Sequence, residues 1–301
     1  MRSSDLQTAG IMLTVCIVVI AAYSYRGKEG FQDTVISGSS ALDLTLEPKL
    51  FKIPFYIPRK RNIATRVNNV PLVLYQTWHS HEVPEGMKTA IYSLLDKNPE
   101  FDYYLYSDED CLQFIKTNFD EDVVKAFETL KPGAFKSDLW RYCMLYKKGG
   151  VYLDIKYMST GSLMNIVSEY PEIYVKDVWP DCRCEEAIYN AFMASPPGNE
   201  IFNDCIKDIV NSTQNKLYQR NVLDVTGPCL LGRMLQKYKP TAFLENNPFQ
   251  FVKYVDGPNV DGIKLNGGLI LKQYKTYRLE QKYFQKTERY GDLYMAQNIY
   301  N

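Results

Sequence analysis

Ala134-Phe135-Lys136-Ser137-Asp138-Leu139-Trp140-Arg141-Tyr142, then Leu145, then Gly149-Gly150-Val151-Tyr152-Leu153-Asp154-Ile155-Lys156, is the stretch on which the fold turns. Pro132-Gly133 breaks what comes before it, and Gly133 to Tyr146 reads as a helix. The Gly149-Gly150 pair stops that helix, because glycine reaches backbone angles that a Cβ disfavours. Val151 to Asp154 then reads as a short buried strand ending in a carboxylate. Asp138 and Arg141 stand at i and i+3, so one helix face presents an acceptor and a cationic fork together. Taken alone, that pair reads equally well as a helix-surface ion pair. The full string is more specific: it delivers Asp154 to the mouth of a cleft.

Working outward, Val70 to Gln76 is a short apolar run suited to a buried strand. Glu85 to Asp96 has helical spacing, Phe101 to Tyr106 is the next strand, and Asp108 reads as the N-cap of a helix through Ile115. A further helix runs from Asp122 to Leu130. Strands alternating with helices predict an α/β, Rossmann-like, mostly parallel sheet with flanking helices and ligands at the strand carboxyl ends.

The chain has 301 residues, 46% hydrophobic and 23% charged, which excludes disorder over most of its length. Thirty-five basic residues balance 35 acidic ones, so no global field recruits nucleic acid. Leu6 to Tyr25 carries no charge, and a bilayer-spanning helix centred on Gly10 to Tyr23 is the expectation. The alternative is a signal peptide cleaved after the Ala22-x-Ser24 pattern. Arg26 and Lys28 against Arg2 lean towards a cytosolic catalytic domain. Residues 1–25 are thus a tail and anchor, 26–66 a stem or linker, and 67–301 the folded domain. Outside the anchor, six cysteines permit fifteen full pairings. Cys182-Arg183-Cys184 has no second pair at zinc spacing, so the thiols read as structural or incidental. The sequon Asn211-Ser212-Thr213 would be used only in a lumenal or extracellular domain.

At the quoted stretch the chain resembles the glycosyltransferases with a sugar-binding DXD motif and a GT-A fold. That group contains Golgi initiating mannosyltransferases, inositol-phosphoceramide mannosyltransferases, capsular polysaccharide enzymes and large glucosylating toxins. Its pattern runs S-D-x-x-R-Y, L, G-G-x-Y-x-D-x-D, and this chain supplies every element except the last Asp, where Lys156 stands. Val70 to Trp78 resembles the opening P-x-x-x-x-Q-x-W strand, and Tyr104 to Glu109 the second strand with its D-E turn. Asn190 to Ser195 and Thr226-Gly227-Pro228 resemble later segments.

The resemblance implies a hexose transferred from a nucleotide diphosphate sugar to a hydroxyl acceptor on a glycan, lipid or protein, with retention of configuration. It implies that Gln76, Thr77 and Trp78 lie against the nucleotide, with Ser107 and Asp108 bordering the same pocket and Tyr152 beside it. Asp138 would hold donor-sugar hydroxyls, and Arg141 the sugar or its diphosphate. Asp154 would touch the ribose and a Mn²⁺ or Mg²⁺ ion, while Asn190, Thr226 and Gly227 would face the acceptor. Arg289 to Tyr294 stands where relatives close a loop over the diphosphate, or packs on the domain. His79 and His81 read as solvated loop residues. A single-pass endomembrane location, such as the Golgi, is implied.

Lys156 can be placed in two ways. On an extended strand it faces the same side as Asp154, where it would salt-bridge that carboxylate or reach the phosphates. Alternatively it points away, and Asp154 with another carboxylate keeps the metal; retained metal dependence is the expectation, because one ammonium poorly replaces a divalent ion. Two rival classes are an inactive nucleotide-sugar-binding module and a tethered structural protein of a glycan-assembly complex.

Overall fold

The computed structural model describes residues 49–301 apart from 62, 178–183, 185, 259 and 285–287. The expected membrane span lies outside the described residues. Among the described residues no helix is long and apolar enough to cross a membrane.

The strands in chain order are β1 (Leu50–Lys52), β2 (Tyr56–Ile57), β3 (Arg66–Val67), β4 (Val70–Pro71), β5 (Val73–Thr77), β6 (Glu82–Pro84) and β7 (Asp102–Tyr106). They continue as β8 (Gly150–Leu153), β9 (Tyr157–Ser159), β10 (Ile173–Lys176), β11 (Ile188–Ser195), β12 (Phe249–Val252), β13 (Gly262–Leu265) and β14 (Gly268–Gln273). Ten of them form one sheet in the order β2-β7-β5-β8-β11-β10-β12-β13-β14-β9.

Its centre is buried on both faces, and all four residues of β8 are inaccessible. Side chains alternate across a strand, so Leu74, Val151 and Leu153 enter one core with the helices Glu85–Lys97 and Leu163–Glu169. Tyr75, Tyr152 and Met193 enter the other, against the helices Gly133–Lys148 and Glu200–Gln214. The expected α/β layering with flanking helices is therefore present.

The sheet is mixed, however, rather than mostly parallel. Only β5 with β7, β5 with β8, and β10 with β12 pair parallel. The other six pairings in that sheet are antiparallel. Helical crossovers build the parallel centre, but beyond Asp154 the chain returns by hairpins. The clearest is β13–β14, where Asn266 (φ 48°) and Gly267 (φ 82°) both take the left-handed angles of a two-residue hairpin turn.

The folded unit also takes in residues that sequence analysis assigns to the linker. β1 pairs with β6 and β2 with β7, both antiparallel, and Ile53 is buried. Arg59 donates through its backbone N–H and guanidinium to Asp102, which also accepts from the Tyr56 hydroxyl at 3.0 Å. Composition hid this segment, because Pro54, Pro58 and the basic run Arg59-Lys60-Arg61 give it linker character while its pairing is with strands distant in sequence.

Cys184 and Cys229 form a disulfide, Cα–Cα 5.9 Å, tying the segment before β11 to the helix Pro228–Leu235. Cys111, Cys143 and Cys205 are buried free thiols.

A chain beginning at residue 48 is expected to unfold at the same temperature as the whole protein. A chain beginning at residue 62 loses β1, β2, Ile53 and Arg59 and should be destabilised by about 3 kcal/mol or more. Urea unfolding of both chains checks this, and equal midpoints would return residues 49–61 to the linker.

Candidate active site

The helix Gly133–Lys148 is buried over most of the stretch from Phe135 to Leu145, and Asp138 and Arg141 are buried with it: Asp138 is 8% exposed and Arg141 6%. The surface ion-pair reading is thereby excluded. Gly149 and Gly150, with φ of 64° and 99°, turn the chain from this helix into β8. A Cβ on Gly149 would lie 2.5 Å from the Pro197 nitrogen, and one on Gly150 3.0 Å from Tyr75 and Val73. This tight turn sets Asp154, at the end of β8, beside Arg141.

Asp138 accepts from Asn190 Nδ2 at 2.9 Å and Thr226 Oγ1 at 2.7 Å, with Arg141 Nη2 3.3 Å away. A Cβ on Gly227 would sit 3.5 Å from Asp138 Oδ2, so the Thr226-Gly227 turn packs closely on that carboxylate. Burial pushes the Asp138 pKa up to about 6, against the downward pull of Arg141, Thr226 and Asn190.

Arg141 donates to Asn190 O at 2.8 Å, Ser137 O at 3.2 Å and Ser137 Oγ at 2.9 Å, and reaches Asp154 Oδ1 at 3.4 Å. Its guanidinium lies 4.4 Å from the centre of the Tyr152 ring. The fork expected to clamp a ligand is thus engaged by the protein, and its role here is to hold Asp138, Asp154 and β11 in register.

Asp154 is fixed at every polar atom. Its N–H donates to Ala191 O at 2.9 Å, and its C=O accepts from Gln76 Nε2 at 3.3 Å and Tyr157 N at 3.1 Å. Oδ1 accepts from the Tyr152 hydroxyl at 2.8 Å, and Oδ2 meets Lys156 Nζ at 2.9 Å. Burial alone would raise this carboxyl's pKa, but the Lys156 and Arg141 charges outweigh it and hold the pKa below its ordinary value.

Lys156 lies in a turn, not on the extended strand that sequence analysis assumed, and the Asp154-to-Tyr157 hydrogen bond closes that turn. It is 7% exposed and sits near the rings of Tyr157 and Tyr189, with centroid distances of 5.2 and 5.4 Å. Desolvation would depress its pKa, yet Asp154 more than offsets this and leaves it raised. Of the two placements considered, it takes the one against Asp154.

These residues do not fit a divalent ion. At a diphosphate site a hard cation takes its oxygen ligands from one or two available carboxylates and from the phosphates, and the carboxylates of this cluster are already engaged. Both Asp154 oxygens already face cations, and Asp138 faces Arg141 and two neutral donors.

The remaining sequence-selected residues border the same edge. Thr77 and Tyr106 end the parallel strands β5 and β7, and Thr77 Oγ1 donates to Tyr106 O at 2.9 Å. Gln76 is fully buried between Asp154 and the Tyr103 hydroxyl, which it accepts at 2.9 Å, so it positions the motif instead of lining the cleft. Trp78 Nε1 is buried and lacks an acceptor among the described residues. Ser107, not Asp108, is the N-cap of the helix Asp108–Asn118, closed by a capping box with Asp110; Asp108 is exposed on the first turn. His81 Nε2 lies 2.7 Å from Asp110 Oδ2 and His79 packs on Trp78, so both are half-buried rather than solvated. The loop after β5 folds back on that helix start and covers them.

Sequence analysis quoted Tyr142 inside the motif and Tyr290 within Arg289 to Tyr294, but gave neither a contact of its own. Tyr142, four residues after Asp138 on the same helix, accepts from Asn190 Nδ2 at 3.1 Å, and helical spacing could have found it. Tyr290 opens the helix Tyr290–Met295, packs 5.9 Å from Phe135, and lies within the fields of Asp138, Lys156, Arg278 and Arg289. Nothing local in the sequence announces that convergence.

Residues 84–172, which hold Asp138, Arg141, Asp154 and Lys156, match the family described as "Glycosyltransferase sugar-binding region containing DXD motif". The central region is similar to a glycosyltransferase sugar-binding region. The chain is 28% identical over 183 residues to inositol phosphoceramide mannosyltransferase 2 of Schizosaccharomyces pombe, covering 59% of this chain and 51% of that protein. It is 25% identical over 171 residues to mannosyl phosphorylinositol ceramide synthase SUR1 of Saccharomyces cerevisiae, covering 56% and 43%. The chain thus spans about half the length of the curated relatives it matches. Among solved structures, the PaToxG glycosyltransferase aligns over 59% of this chain and 72% of its own, with a TM-score of 0.45 and 15% identity.

Asp138→Asn separates function from stability. A neutral amide should cut turnover on the order of 10²-fold, because it holds hydroxyls less firmly and loses its charge match with Arg141. A carboxyl whose pKa rises on folding stabilises the fold at low pH and loses that contribution as pH climbs to its folded value. The variant should therefore gain thermal stability relative to the parent between about pH 4 and pH 6 and hold the gain above. Melting curves across that range, beside turnover at neutral pH, check both halves.

Proposed function

We propose that the protein transfers a hexose from a nucleotide diphosphate sugar to a hydroxyl acceptor, with retention of configuration. The observation that supports this reading is the cluster of buried Asp138 and Arg141 with partly buried Asp154 at the carboxyl edge of β5 and β8, within the residues that match a glycosyltransferase sugar-binding region. Ligands of α/β sheets bind at that edge. Asp138 is a carboxylate of the kind that suits sugar hydroxyls, while Arg141 and Gln76 keep Asp154 and the β8 end in place. Trp78 Nε1 offers an unused donor on the nucleotide side.

Both carboxylates are engaged by cations or donors, so the cluster orients reactants and meets leaving-group charge better than it would serve as a strong base. Asn190 and Thr226 link the acceptor side directly to Asp138. The names of the yeast relatives favour mannose as the hexose and a phosphoinositol-ceramide lipid as the acceptor. The apolar stretch 10–23 would tether the enzyme to an endomembrane such as the Golgi. The Cys184–Cys229 disulfide supports a lumenal, oxidising side for the domain, against the lean of the basic flanks.

Incubation of the purified protein with a panel of UDP and GDP sugars, following nucleoside diphosphate release by mass spectrometry, tests the reading. One donor should be turned over, faster with a lipid or glycan acceptor. Binding without turnover would select the inactive module, and absence of binding the structural protein. Reduction of the disulfide should cost up to about 4 kcal/mol for a loop of this length; an unchanged melting temperature in reductant would remove the support for an oxidising compartment.

A further inference from the structure

We propose that Lys156 takes the place of the divalent cation at this site, so that the diphosphate of the donor is bound without metal. The inference rests on the sugar-transfer reading and deepens it.

It starts from charge. In the D-x-D pattern two carboxylates and a divalent ion cancel; here Asp154 and the Lys156 ammonium cancel in the same way. The D-x-K step therefore carries the net charge of the metal-loaded motif as a built-in property. A divalent ion added beside it would leave an excess of two positive charges on a spot already flanked by Arg141, which lies 3.4 Å from Asp154. An ammonium has no lone pair and cannot itself be a ligand.

Position agrees with charge. Lys156 is held 2.9 Å from Asp154 Oδ2, on the side opposite the Tyr152 hydroxyl and Arg141, which meet Oδ1. Among the described residues, Asp154 and the neighbouring Tyr189 hydroxyl engage two of its three N–H donors, which leaves a third for a phosphate oxygen. The low exposure of Lys156 strengthens any charge it presents, since little water competes. Arg278 lies close enough to oppose the Lys156 charge, and with Arg289 it bears on Tyr290. More than one cation from the C-terminal part of the chain thus gathers on the side where a diphosphate would lie. Asp261 accepts from Arg278 at 3.3 Å, so that guanidinium is already partly neutralised and Lys156 is the principal charge.

The test is calorimetric titration of the whole chain with UDP and GDP, in EDTA and again in Mn²⁺. The better nucleotide should bind equally in both, and Mn²⁺ alone should give no bound-ion signal in electron paramagnetic resonance. Lys156→Ala should weaken the nucleoside diphosphate roughly tenfold to a hundredfold, with the plain nucleoside within a few-fold of the parent. Lys156→Asp, which writes the full D-x-D, should lose binding in EDTA and regain it in Mn²⁺. A parent chain whose affinity rises tenfold or more with Mn²⁺ overturns the inference and leaves the sugar-transfer reading intact; this arm needs no variant, so a misfolded variant cannot obscure it. If neither nucleotide binds in either condition, the sugar-transfer reading falls and this inference falls with it.

Discussion

A partly buried carboxylate held between two buried cations organises this protein's centre. Asp154 carries Arg141 on one oxygen and Lys156 on the other, and none of the three would be tolerated inside the domain alone. Removing either cation leaves the rest uncompensated in a low-dielectric setting, which is costly, whereas the complete set holds its geometry with little freedom. That rigidity is what a transfer site needs, because a shift of an ångström in a reacting group erases much of the benefit of positioning.

The triad is stable only because the sheet brings distant segments to it. β8 ends between β5 and β11, so Gln76 supports Asp154 from one neighbour while Ala191 and Asn190 support it and Arg141 from the other. Thr226 then closes on Asp138 from the turn before the helix Pro228–Leu235, and the Cys184–Cys229 disulfide pins that helix to the segment that precedes β11, the strand carrying Asn190. β11 and the Thr226-Gly227 turn are in this way mechanically joined through one carboxylate. Burial raises the Asp138 pKa to about 6, so its ionised form is held at a cost in stability.

A nucleotide diphosphate would meet a site that is neutral as a cluster, with Asp138 and Asp154 balanced by Arg141 and Lys156. A protein of zero net charge can hold an anion in such a place, because short distances and burial set the local field and the global balance does not.

The sequence by itself determined the local grammar. Helix, glycine stop and strand from Gly133 to Asp154 were legible because capping, periodicity and backbone freedom act within a few residues, and the match over residues 84–172 rests on the same string. Tertiary structure alone decided the rest. Only packing shows that Asp138 and Arg141 face inward, because an i,i+3 pair looks the same on a surface helix as on a buried one. Only the turn after β8 shows that Lys156 meets Asp154, since strand alternation was the wrong geometry there, although it pointed to the same neighbour. The mixed sheet, the pairing of β1 and β2, and the convergence of Tyr290 with the site depend on contacts between residues far apart in the chain. Those contacts form because apolar faces and buried charges must find partners, and a linear pattern records the need but not the partner.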